Sequence, residues 1–77
     1  MSIKEKKRIE EREKAVFEFI KEYIKENGFS PSFRDISFAL HCSVSTIFFT
    51  LHNLKEKRLI NFIERKNRTI IITTEGN

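Results

Sequence analysis

Few residues of this chain are suited to bond-making chemistry, and their spacing argues against it. The single cysteine, Cys42, follows His41, and the second histidine, His52, lies eleven positions beyond the first. Three such groups fall short of a four-ligand zinc set unless carboxylates or another chain complete it, and their spacing matches no common zinc pattern. A Cys–His nucleophile pair needs an orienting group, and Asp35 is the only aspartate in the sequence. With Gly28 and Gly76 the only glycines, there is no Gly-rich phosphate loop. No metal site, cofactor, catalytic residue or small-molecule substrate is therefore expected. Cys42 reads as a small buried filler and His52 as a polar surface residue.

The chemistry on offer is cationic and hydrogen-bonding. Fifteen lysines and arginines against eleven acids give a net charge of +4, unevenly placed. Residues 1–14 mix six bases with four acids. Residues 55–68 hold six bases, Lys55, Lys57, Arg58, Arg65, Lys66 and Arg68, against only Glu56 and Glu64. That density of positive charge suits phosphates; the bland alternative is a solvated charged surface. Just upstream, Ser43, Ser45, Thr46, His52 and Asn53 carry side chains that fit base edges or phosphates, although serine and threonine there equally suit helix capping.

These groups need elements to hold them, and 77 residues provide for one small domain. Val16, Phe19, Ile20, Tyr23 and Ile24 fall on one helical face, and Glu18, Lys21, Glu22, Lys25 and Glu26 on the other. Asn27-Gly28 supplies the stop of this first helix, with Phe29 placed to fold back on Ile24. Two starts fit. Ser2 and Glu5 match a capping box near residue 3, and the dense apolar stripe sets in near residue 10. Residues 1–14 are accordingly a charged extension that either flanks the helix or continues it, and residues 15–74 are the domain proper. After the Ser30-Pro31 turn, Ser32 and Asp35 cap a second helix over Phe33 to Leu40, with Phe33, Ile36, Ala39 and Leu40 inward. A third helix opens at Ser43 or Val44 and ends near Arg58, burying Val44, Ile47, Leu51 and Leu54.

The last third changes period. Leu59–Ile63 and Thr69–Thr73 are rich in β-branched and aromatic residues and flank the charged run Glu64-Arg65-Lys66-Asn67-Arg68. This predicts a β-hairpin with a basic tip, in which alternation leaves one residue of Ile70-Ile71-Ile72 facing outward. The fold class is α+β, mainly α: a winged helix-turn-helix of three helices followed by a two-stranded antiparallel wing. In that arrangement the third helix has the diameter to enter the major groove of double-stranded DNA and the wing reaches flanking phosphates. Lys55, Lys57, Arg58, Arg65, Lys66 and Arg68 are assigned to the backbone. Ser45, Thr46, Phe49, His52 and Asn53, opposite the buried line, are assigned to the bases, with Phe48 on the flank.

No apolar run approaches the roughly 18 residues that span a bilayer, and the N-terminus lacks the apolar stretch of a signal peptide. One cysteine excludes an internal disulfide. A soluble, cytoplasmic protein with no membrane partner is expected.

The run Gly28-Phe29-Ser30-Pro31-Ser32-Phe33-Arg34-Asp35-Ile36, followed by Leu40, Ser45-Thr46-Ile47, Leu51, Leu54, Lys57 and Leu59-Ile60, resembles the N-terminal DNA-binding domain of the LexA family, the bacterial SOS repressors. Phe19-Ile20 fits as well, and the resemblance covers residues 12–73. It implies a winged helix that reads an operator half-site through Ser43, Ser45, Thr46, Phe48 and Phe49, in a bacterial, phage or plasmid regulator. Binding by one short domain is weak and salt-sensitive, so dimerisation, or help from another DNA-bound protein, is expected. The family's second domain, with its self-cleaving Ser-Lys dyad and dimer interface, has no counterpart in these residues, so no enzymatic activity is expected. The family usually has Gly where His41 stands; a left-handed non-glycine there costs on the order of 1 kcal/mol unless the turn takes another path.

The phenylalanines divide. Phe19, Phe29 and Phe33 fit the core, and Phe17 and Phe62 fit either side. Phe38 lies about 200° from Ile36, and Phe49 about 200° from Ile47, so both point away from the core. Positions 38, 48 and 49 are polar or small in the family pattern. Two readings follow: a thymine-contacting face, or an exposed patch of Phe38, Phe48 and Phe49 that docks a protein such as a repressor or a second copy of the chain.

Overall fold

A computed structural model of the chain describes residues 2–73. The Ser2 hydroxyl accepts from the Glu5 N–H, and the Glu5 carboxylate accepts from the Ser2 N–H, so the capping box forms at the earlier of the two starts. Helix α1 accordingly runs unbroken over Ile3–Asn27, taking in the charged N-terminal residues. Met1 and residue 74, where the expected extension and domain begin and end, lie outside the described residues. Val16 and Ile20 are fully buried, and Gly28 ends the helix in the left-handed conformation, φ 81°, its N–H donating to the Ile24 carbonyl at 2.8 Å.

Helix α2, Phe33–Leu40, opens with reciprocal 3.0 Å bonds between Ser32 and Asp35. Ile36 is its buried anchor; Ala39, expected inward, is exposed, because an eight-residue helix presents only a narrow buried stripe. His41 closes α2 in the left-handed conformation (φ 55°, ψ 41°), so the turn follows the usual path despite the side chain. The Cys42 N–H donates to the Ser37 carbonyl and the Ser37 hydroxyl to the Cys42 carbonyl, which clamps the chain on both sides of the strained residue.

Helix α3, Val44–Glu56, starts from Ser43 as N-cap and buries Ile47, Thr50, Leu51 and Leu54. Val44 departs from the expected buried line. It stands in the first turn, at the edge of the buried face, and is 44% exposed. Thr50 takes the other edge, its hydroxyl satisfied by the Thr46 carbonyl at 2.8 Å.

Two short strands complete the fold. Strand β1, Ile60–Asn61, pairs antiparallel with β2, Ile71–Ile72, in the register Ile60↔Ile72 and Asn61↔Ile71. The ladder is shorter than the apolar runs because side chains take over beyond Asn61. The Phe62 N–H donates to Asn61 Oδ1, and the Ile63 N–H donates to Thr69 Oγ1, which in turn donates to the Ile63 carbonyl. Alternation resolves the isoleucine run: Ile70 is buried and Ile71 is 55% exposed.

Val16, Ile20, Ile36, Ile47, Leu51, Leu54, Ile60, Phe62 and Ile70 form one core drawn from every element but β2 itself, whose Ile72 packs on its edge. Phe19 and Phe33 pack against that core, but Phe29 is 51% exposed. Placed directly after the left-handed Gly28, its ring lies edge-on to Tyr23 at 5.9 Å instead of entering the interior. Three helices and an antiparallel hairpin in this order are a winged helix. No helix among the described residues is long and apolar enough to cross a membrane.

Candidate nucleic-acid interface

The outer face of α3 is built by what the core leaves over. With Ile47, Thr50, Leu51 and Leu54 inward, Ser45 and Phe49 lie on the opposite ridge, one turn apart. Both are exposed. Ser43 and Thr46 are committed to the helix start: the Ser43 hydroxyl accepts from the Thr46 N–H at 3.1 Å and donates to Thr46 Oγ1 at 2.9 Å. Asn53 is half-buried on the flank away from the wing.

Phe48 and His52 face the wing. Phe33, Phe48, His52 and Phe62 form a closed aromatic cluster of tilted and edge-on contacts, with centroid spacings of 5.9 Å (Phe33–Phe48), 4.3 Å (Phe48–His52), 5.4 Å (His52–Phe62) and 5.5 Å (Phe33–Phe62). His52 is thus a surface residue that is partly covered, its side chain 36% exposed. Its ring is held between Phe48 and Phe62, and its Nε2 is covered and 3.7 Å from the Glu64 carboxylate, too far for a hydrogen bond. Phe48 remains 42% exposed, Phe49 51% and Phe38 86%. No ring contact joins Phe38 to Phe48 or Phe49 among the described residues, so the three do not pack as one cluster.

The six expected phosphate ligands separate into two groups. Lys55, Lys57 and Arg68 are turned to partners within the fold. Lys55 Nζ donates to the Phe62 carbonyl at 3.1 Å and lies 4.5 Å from the Phe62 ring centroid, joining α3 to the wing. Lys57 pairs with Glu13, a carboxylate of α1 that is otherwise buried. Arg68 spans three elements: its Nη1 donates to the Tyr23 hydroxyl at 3.1 Å and the Ser30 carbonyl at 3.2 Å and lies 3.1 Å from Asp35, while the guanidinium covers the Phe29 ring. The Tyr23 hydrogen bond, foremost, and the Asp35 charge hold Arg68 above the usual guanidinium pKa. Asp35 is held below the usual carboxylate range, first by the Ser32 backbone N–H and then by the Ser32 hydroxyl and Arg68, against the opposing effect of desolvation. Each of these three cations, assigned to the DNA backbone from the sequence, thus has an acceptor within the fold.

Arg58, Arg65 and Lys66 have no carboxylate within ion-pair distance among the described residues, and all three are exposed. Arg58 and Arg65 take left-handed conformations, φ 63° and 66°, at the end of α3 and in the wing tip. Arg65, Lys66 and Asn67 line an open cleft whose other wall is Arg34 and Val44. Arg34 joins the cationic side chains of this cleft although the sequence reading does not count it among them. Its position is legible in the sequence: Arg34 lies one helical turn from Phe38 on the outward ridge of α2, about 200° from Ile36.

Residues 6–69 match the family model described as the LexA DNA binding domain. The chain belongs to the LexA DNA-binding-domain family. Among LexA repressors it is 35% identical to that of Thermosipho melanesiensis over 91% of this chain and 40% of the relative's length. It is 40% identical to the LexA repressor of Clostridium tetani over 77% of this chain and 30% of that protein, and 38% identical to that of Desulfatibacillum aliphaticivorans over 80% and 31%. The chain thus spans between about three and four tenths of the curated relatives it matches. The self-cleaving activity of LexA is not covered by this LexA-type domain.

Proposed function

We propose that this LexA-like domain binds double-stranded DNA as a transcriptional regulator, laying α3 in the major groove and gripping the backbone with Arg34, Arg58, Arg65 and Lys66. The observation that carries the reading is the segregation of the cations. Lys55, Lys57 and Arg68 have acceptors inside the fold, while Arg34, Arg65 and Lys66, without an ion-pair partner among the described residues, gather where α2, the start of α3 and the wing tip meet, and Arg58 stands apart at the far end of α3. Ser45 and Phe49 face the base edges. Of the other sequence-assigned readers, Ser43 and Thr46 set the helix start, His52 packs toward the wing, Asn53 lies half-buried on the far flank, and Phe48 packs on His52 while leaving part of its ring on the reading face.

A single domain with about four phosphate contacts binds weakly and with steep salt dependence, so two copies on adjacent half-sites of an operator are the working form. The same reading makes the protein a cytoplasmic regulator of bacterial or phage origin, of the SOS type. Fluorescence anisotropy of labelled duplexes at low and moderate salt tests it. Binding that weakens as salt rises is the expected result, and absence of binding at low salt overturns the reading.

A second reading rests on Phe38, the most exposed phenylalanine at 86%. Its ring stands on α2 with no aromatic neighbour and fits a homodimer or another protein partner, a repressor among them. Sedimentation of the wild type against Phe38→Ser separates the two: a self-association that the substitution removes supports the interface, and an unchanged monomer overturns the homodimer.

A further inference from the structure

We propose that the reading face selects thymine by its C5-methyl group, through Val44, Phe48 and Phe49, and does not discriminate bases mainly by hydrogen bonds. The inference rests on the DNA-binding reading above and sharpens it to a class of target sequence.

In the first two turns of α3 most polar side chains are engaged within the domain, and His52 and Asn53 stand beyond those turns. Ser43 and Thr46 bond each other at the cap, and His52 is held between two phenylalanine rings. Ser45 is left as the one exposed polar side chain in the first two turns. Guanine and adenine are read best by bidentate donors such as Arg, Asn or Gln. No such residue stands between Val44 and His52.

What those turns do present is apolar: Val44 at 44%, Phe48 at 42% and Phe49 at 51% exposure. Val44 and Phe48 are one turn apart on a line, and Phe49 lies 100° from Phe48 toward the outer ridge. The apolar feature that a native base pair offers in the major groove is the thymine methyl.

Charge identifies DNA as the occupant. Val44 lines the same cleft as Arg34, Arg65 and Lys66, none of which has a carboxylate within ion-pair distance among the described residues. An apolar protein surface seated on Val44 would strip water from those cations without compensating them, whereas phosphates flanking a groove neutralise them.

Two duplexes of one A·T-rich sequence, one with thymine and one with deoxyuridine throughout, differ only in the C5-methyl groups. Wild-type protein is expected to bind the thymine duplex more tightly in an anisotropy titration, by about fourfold for each methyl buried. Phe49→Ala, at an exposed site and checked for helicity by circular dichroism, is expected to lose most of that preference. Equal wild-type affinity for the two duplexes overturns thymine selection and leaves the DNA-binding reading standing. Absence of binding to either duplex at low salt overturns both. A preference that Phe49→Ala and Val44→Ala each retain in full overturns the assignment, because the methyls are then sensed through duplex shape. Self-association that Phe49→Ala abolishes, with no change in DNA affinity, gives the face to a second copy and likewise overturns it.

Discussion

Lys57→Ala separates a brace from a DNA contact. In the sequence Lys57 belongs to the cationic cluster. In the fold its ammonium meets Glu13, whose side chain is 9% exposed while that of Lys57 is 52% exposed. An exposed ion pair contributes about 0–1 kcal/mol, and breaking a fully buried one costs about 3–5 kcal/mol. This pair is buried on one side only, so the loss is set mainly by the carboxylate left in a half-apolar site, roughly 1–2 kcal/mol. For a domain of this size that lowers Tm by about 4–16 °C. Chemical denaturation measures the loss, and Glu13→Gln in the Lys57→Ala background is expected to recover much of it, because a neutral amide tolerates burial without the cation. The salt dependence of DNA binding is expected to keep its slope. Unchanged stability together with a slope about 0.9 shallower would refute the reasoning and return Lys57 to the backbone contacts.

Other consequences follow from the same contacts. His41→Gly relieves about 1 kcal/mol of left-handed strain and returns about half of it through a freer unfolded chain, so Tm rises by about 2–4 °C; a lower Tm would show that the imidazole itself holds the turn. Asp35 has a lowered pKa in the folded state, so its contribution to stability is present above the ordinary carboxylate pKa and is lost as pH falls through the folded value. Asp35→Asn is expected to flatten the acid limb of a Tm against pH profile, and a profile that stays parallel to wild type would remove Asp35 as a source of acid sensitivity. Ser30→Ala leaves the buried Ile70 N–H without its 3.1 Å acceptor and is expected to cost about 1–3 kcal/mol in denaturant titration; a smaller effect would mean that water replaces the hydroxyl.

Much of the fold was legible because local signals agreed. Ser2 with Glu5, Ser32 with Asp35, and Gly28 each mark a helix end by hydrogen-bond chemistry confined to a few residues, and each appears where the sequence puts it. The outward direction of Phe38 and Phe49 followed from helical rotation alone. Long-range pairing was not legible. Nothing local ties Lys57 to Glu13, 44 positions away, or Arg68 to Tyr23, 45 positions away, so a run of bases looked like a uniform surface when half of it also makes contacts within the fold. His52 was legible only in part for the same reason: its polarity suggested solvent, and its side chain is 36% exposed, but Phe48 and Phe62 pack on it from two elements. Phe29 shows the opposite error, since an aromatic beside a helix stop is drawn inward only when the following turn aims it there.

The central claim, that DNA is held by the cations free of internal partners, is tested most directly by the slope of log K against log salt. For wild type, about four phosphate contacts predict a slope near −3.6. The combined substitution of Arg34, Arg65 and Lys66 by alanine, at exposed positions outside the core, is expected to make it shallower by about 2.7, whereas Arg68→Ala is expected to leave it near the wild-type value. The account is contradicted if the triple variant keeps the wild-type slope, or if Arg68→Ala alone reduces it by a full contact while stability is unchanged.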